Sequence, residues 1–127
     1  MVGDSAHAHG GAYATGGSLA IDDAYALHLA IDHIFPPSSI VKPSVATIAA
    51  ALKLYERTRK PHAEKLLNIV LKANKAKAAR FGRPVTDDEL YHMVAERPAT
   101  AWLHEHNVVE AFEEAARSKE YIGKAAS

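Results

Sequence analysis

An all-α fold is what the sequence predicts, on three observations. From residue 18 onward, apolar side chains recur at three- and four-residue spacing. No stretch alternates apolar and polar residues for long enough to make a half-buried strand. Prolines, glycines and N-capping residues then divide the chain into about five helices behind a glycine-rich N-terminal loop.

Residues 1–17 hold Gly3, Gly10, Gly11, Gly16 and Gly17, five of the seven glycines, and are expected to form a loop rather than helix. The first helix is predicted over Leu19 to Ile34, with Ser18 as its N-cap and Asp22 and Asp23 in its opening turns, against the positive end of the helix dipole. Its apolar residues (Leu19, Ile21, Tyr25, Leu27, Leu29, Ile31, Ile34) fall on nearly every face, a pattern that normally means burial on several sides. Phe35-Pro36-Pro37-Ser38-Ser39 breaks the chain. A second helix follows Pro43-Ser44, with Val45, Ile48, Ala49, Leu52 and Tyr55 on one stripe. Pro61 is expected to kink or restart it, because proline lacks the N–H donor and clashes with the preceding turn. From His62 to Phe81 the stripe is Ala63, Leu66, Leu67, Val70 and Leu71, and Gly82 followed by Pro84 stops the helix.

Thr86-Asp87-Asp88-Glu89 reads as a capping box at the head of a short helix that ends before Pro98. A turn or short helix at Trp102-Leu103 leads to a last amphipathic helix carrying Val108, Val109, Ala111, Phe112 and Ala115, with a frayed tail after Tyr121. Residues 1–127 make one domain with no internal repeat; Tyr55, Trp102 and Phe112 are its expected aromatic core anchors.

Charge and composition narrow the function classes. Fifteen basic and fifteen acidic residues leave no net field to attract nucleic acid or an acidic membrane. The basic residues cluster between Lys53 and Arg83, interrupted by Glu56 and Glu64, and read as a solvated helix face. The absence of cysteine removes disulfides, thiolate nucleophiles and Cys-ligated zinc, and suits a reducing compartment. No basic leader and no apolar run of ~20 residues is present, so a cytoplasmic protein without a membrane span is expected. Eight histidines raise the question of metal. The tightest spacings are His7-x-His9 and His104-x-His106, with His28 and Asp32 four apart, and none supplies the three or four convergent ligands that a metal needs. Adjacent Asp22 and Asp23 point about 100° apart on a helix and do not form a catalytic dyad.

Gly3-Asp4-Ser5-Ala6-His7-Ala8 resembles the Gly-Asp motif, G-D-A-A-H, of FAD-dependent aromatic-ring monooxygenases, the family of p-hydroxybenzoate and salicylate hydroxylases. Gly16 falls at that family's loop glycine, and Asp22-Asp23-Ala24-Tyr25 is similar to its acidic helix start, in register from Gly3 without a gap. Gly11 stands where the family usually has proline, and Ala14 where a further loop glycine is common. Downstream, Ala51-Leu52-Lys53-Leu54-Tyr55-Glu56-Arg57-Thr58-Arg59-Lys60-Pro61 is similar to the family's A-L-x-x-Y-E-x-x-R-x-P stretch, and Trp102-Leu103 with Val108-Val109 resembles the end of fungal members more weakly.

The resemblance implies a C-terminal, flavin-proximal segment of an α/β flavoprotein fold. It implies that Gly3 and Asp4 lie at the ribityl chain, and that the backbone of Gly16, Gly17 and Ser18 faces the flavin's negative N1–C2 edge. His7, at a family position, would be a structural hydrogen-bonder. In such enzymes the flavin performs the chemistry on a small aromatic substrate, so no catalytic side chain is named. The G-x-G-x-x-G unit that seats the FAD pyrophosphate is absent from these residues, and the chain alone is not expected to hold FAD.

Three functional expectations stay open: a fragment of a hydroxylase, beginning inside a strand of its parent; a truncated descendant acting without flavin as a small-molecule binder, isomerase or cyclase; and a helical assembly module. In the last, the apolar helix Leu19–Ile34, lacking the sheet that would cover it, drives self-association or recruits a missing N-terminal partner.

Overall fold

The computed structural model describes residues 1–8 and 12–118, the side chains of Asp4 and Ala12 excepted. Gly10 and Gly11, His9 of the His7-x-His9 pair, and the tail after Tyr121 lie outside the described residues. Within them the fold is all-α, with no strand: α1 (Asp4–His7), a tight turn at Ala12–Ala14, α2 (Gly16–Ile34), α3 (Val45–Ala78), α4 (Asp87–Ala95), α5 (Ala101–His104) and α6 (Val108–Arg117).

The N-terminal segment is more helical than its glycines suggest. Gly3, at φ 65°, takes the left-handed conformation that favours glycine and turns the chain into the single turn of α1. Tyr13 and Ala14 also have positive φ, 62° and 51°. Helix α2 begins at Gly16, three residues before the predicted start, and its N-cap is Thr15 rather than Ser18. The earlier start carries Asp22 and Asp23 past the first turn, so dipole matching is not their role.

Helix α3 corrects two expectations. It runs unbroken through Pro61 for 34 residues, ~50 Å at 1.5 Å per residue, capped by the Ser44 hydroxyl on the Thr47 N–H at 3.1 Å. The ring leaves the Arg57 carbonyl without its helical donor, and that loss is absorbed without ending the helix. Its buried face is Ala51, Leu54, Tyr55, Thr58, Arg59, His62, Leu66 and Val70. Of the stripe predicted for its first half, only Tyr55 is buried; Val45, Ile48 and Leu52 are exposed. The spacing was helical, but polar Thr58, Arg59 and His62 occupy the core-facing positions that hydropathy assigns to apolar residues.

Helices α2, α3 and α6 pack around one cluster, and α2, α3 and α5 around another. One joins Ala26, Ala30, Leu54, Tyr55 and Val108, with Leu27 and Phe112 against it; the other joins Leu19, Leu66 and Val70, with Trp102 and Leu103 against it. Alanines on α2 let α3 approach closely, and fully buried Leu54 and Leu66 each contribute about 2 kcal/mol of apolar burial. Beyond Val70, α3 is exposed through Ala78, Gly82 at φ 80° turns the chain, and α4 starts with the predicted capping box between Thr86 and Glu89. No residue of α4 is buried. Among the described residues, no helix is long and apolar enough to cross a membrane.

Candidate functional site

The buried face of α2 presents Asp23 to α1 and to the middle of α3, and a polar node forms there. Asp23 is 1% exposed. Its Oδ2 accepts the Gly3 N–H at 2.8 Å and lies 2.7 Å from His7 Nε2; its Oδ1 accepts Arg59 Nε–H at 2.8 Å. Burial pushes the carboxyl up, but the hydrogen bonds from Arg59, Gly3 and His7 outweigh it and hold Asp23 below the ordinary carboxylate range. An ionised carboxylate only accepts, so His7 Nε2 carries the proton of the shared bond. His7 is therefore a hydrogen-bonder inside the fold, as the resemblance implies, and its Nδ1 is buried with no partner among the described residues.

Arg59 extends the node toward the α5–α6 corner. Its Nη1 donates to His106 Nε2 at 3.0 Å and lies 3.7 Å from Asp22 Oδ2, while Nη2 is buried without a partner among the described residues. Accepting that bond puts the His106 proton on Nδ1. His106 stacks on His62 with centroids 3.8 Å apart, and Trp102 meets His62 edge-on at 5.1 Å. The Lys65 ammonium sits 4.1 Å from the Trp102 ring centre. Burial, then the nearby His106, Arg59 and Lys65, depress His62 to about 4. Burial and Arg59 likewise lower His106, with Asp22 opposing. Both rings are therefore neutral near pH 7. The Tyr55 hydroxyl donates to the Met1 carbonyl at 3.0 Å, and burial together with the Asp23 charge raises its pKa.

The node lies between two cavities. One of about 450 Å³ is lined by His7, Asp23, Tyr55 and Arg59 together with Leu27, Leu52 and Leu67. A second, about 650 Å³, opens between α3 and α6 beside His62, Lys65 and His106. Among the described residues, no three His, Asp or Glu side chains group as a metal site would require.

The sequence-predicted cofactor residues occupy the edge of this arrangement. Gly3 gives its N–H to Asp23, and the Asp4 side chain lies outside the described residues. The first bond of the α2 ladder runs from Leu19 N–H to Thr15 O at 3.0 Å, leaving the N–H groups of Gly16, Gly17 and Ser18 outside it. Ser18 turns its hydroxyl back to the Thr15 carbonyl at 2.9 Å. Space beside Gly17 is open, and the Thr15 hydroxyl is buried without a partner among the described residues. A helix start with free N–H groups and open space beside it is a place where an anionic group can be received. Gly3, Gly16, Gly17 and Ser18 are not among the lining residues of the two cavities that flank the node.

Sequence reasoning passed over Arg59, His62 and His106 as site residues. The signal was available: Tyr55, Thr58, Arg59, His62 and Leu66 share one helical face at spacings of three and four. A charged and a titratable residue in register with a core stripe are candidates for a buried polar node. The chain matches no protein-family model, no curated protein and no solved structure.

Proposed function

We propose that this chain is the C-terminal, flavin-proximal segment of an FAD-dependent aromatic-ring or polyketide-type monooxygenase. One observation carries the reading. Three separate stretches that resemble the family, Gly3–His7, Asp22–Tyr25 and Ala51–Pro61, converge on the Asp23 carboxylate. Each gives a residue that the node needs: Gly3 and His7 as donors, Asp23 as acceptor, Arg59 as the buried cation. On this reading the node sets the position of the Gly-Asp turn against the N-terminus of α2. Gly16, Gly17 and Ser18 would offer backbone N–H groups to the flavin, with Asp4 at the ribityl hydroxyls. Bound FAD would supply the oxygen-activating chemistry, and this segment would hold one edge of the ring in place.

The test is recovery of the native protein from its source cells with an antibody against α3, followed by its mass and visible absorption. Flavin absorption in a species heavier than the 13.7 kDa of this chain is the expected result. A colourless species overturns the reading.

A second reading, a flavin-independent small-molecule binder or isomerase/cyclase, draws on the 450 Å³ cavity, whose leucines and polar node could enclose a small aromatic molecule. Thermal stabilisation of the purified chain by such molecules without FAD would favour it.

A further inference from the structure

Two segments project beyond the core, and each is both apolar and charged. On distal α3, Leu71 is 63% exposed and lies among Lys72, Lys75 and Lys77. On α4, Leu90, Met93 and Val94 are exposed on one face, with Tyr91 beside them, 73% exposed. Asp87 and Asp88 stand at the head of that helix. None of these three lysines or two aspartates makes an ion pair among the described residues. The two segments are matched in length, eight residues from Leu71 to Ala78 against nine in α4, ~12 and ~14 Å.

We propose that the chain forms a two-fold homodimer in which α4 of each protomer lies along Leu71–Ala78 of the other. The charges select the occupant. Lysine-bearing α3 against its own copy, or aspartate-bearing α4 against its own copy, sets like charges together; only the crossed pairing places opposite charges around the buried leucines. The crossed arrangement is isologous, each contact occurring twice about the axis, so it closes at two copies. It covers Leu71, Leu90, Met93 and Val94, apolar surface that a monomer leaves in water. The interface is separate from the exposed face of α2 and from the polar node.

Sedimentation equilibrium of the full chain tests this with a charge swap. The wild-type chain is expected to dimerise, and salt to weaken the dimer. Asp87→Lys with Asp88→Lys, and separately Lys72→Glu with Lys75→Glu, each raise the dissociation constant at least about tenfold. An equimolar mixture of the two variants regains the dimer, because both crossed contacts are then again opposite in charge. All four positions are exposed, and circular dichroism of each variant checks that its helices are intact. A wild-type monomer at every concentration overturns the proposal. So does a dimer indifferent to both charge reversals, or one abolished instead by Ile21→Lys on α2, or failure of the mixture to reassociate.

Discussion

At Asp23 a single carboxylate receives three hydrogen bonds from two parts of the chain, the Gly3–His7 stretch and α3, which makes its loss disproportionate. Asp23→Asn keeps the shape but leaves the Arg59 charge, 4% exposed, with only the partly exposed Asp22 carboxylate 3.7 Å away. The expected cost is about 3–5 kcal/mol, read from urea denaturation, whereas replacing Asp23 and Arg59 together by Leu and Met costs much less. His62 governs a different range of pH. Its folded-state value of about 4 lies below the 6.5 of an unfolded histidine, so the unfolded chain takes up the proton first. The stabilisation is complete above about pH 6.5 and is lost as pH falls from there toward 4. It amounts to on the order of 2 kcal/mol. Urea midpoints at pH 7.5 and 5 measure it, and His62→Gln should flatten the difference. Asp23 acts with the same sign but lower: its value is depressed, so its share persists above an ordinary carboxylate pKa and disappears only in stronger acid.

Among the elements, α3 tolerates a proline in its interior and α4 stands without a core. Pro61→Ala restores the missing donor to the Arg57 carbonyl in a helix that is already continuous. The melting temperature should therefore rise, by the equivalent of about 1–3 kcal/mol. Thr86→Ala removes a full capping box, normally worth ~1 kcal/mol. Because α4 buries nothing, the effect should stay local in dilute solution: its amides exchange hydrogen faster while the global urea midpoint holds. The capping box was legible because its residues are adjacent in sequence, as was the short turn at Trp102-Leu103; the stop expected at Gly82 comes earlier, since α3 ends at Ala78 and Gly82 only turns the chain beyond it. The start of α2 was not. Gly16 and Gly17 argue against helix locally, and Leu19, buried against Leu66 and Val70, outweighs them only once α3 is in place. The face of α3 was missed for a related reason, since Arg59 and His62 are tolerable inside only when Asp23 and His106 are there to meet them.

For the molecule as a whole, the predicted all-α architecture follows from periodicity, while the polar node follows from contacts that periodicity does not contain. Its bonds join residues 20, 36 and 47 positions apart. That separation has a kinetic consequence. Arg59 and Asp23 cannot leave water singly without a large desolvation penalty, so the node closes only after α2 and α3 have docked, late on the folding route. Asp23→Asn should therefore steepen the loss of the native state and leave the refolding arm of a chevron nearly unchanged. Leu54→Ala, in the apolar layer that docks first, should slow refolding. Helix packing thus governs how quickly the chain arrives, and one buried carboxylate governs how long it stays.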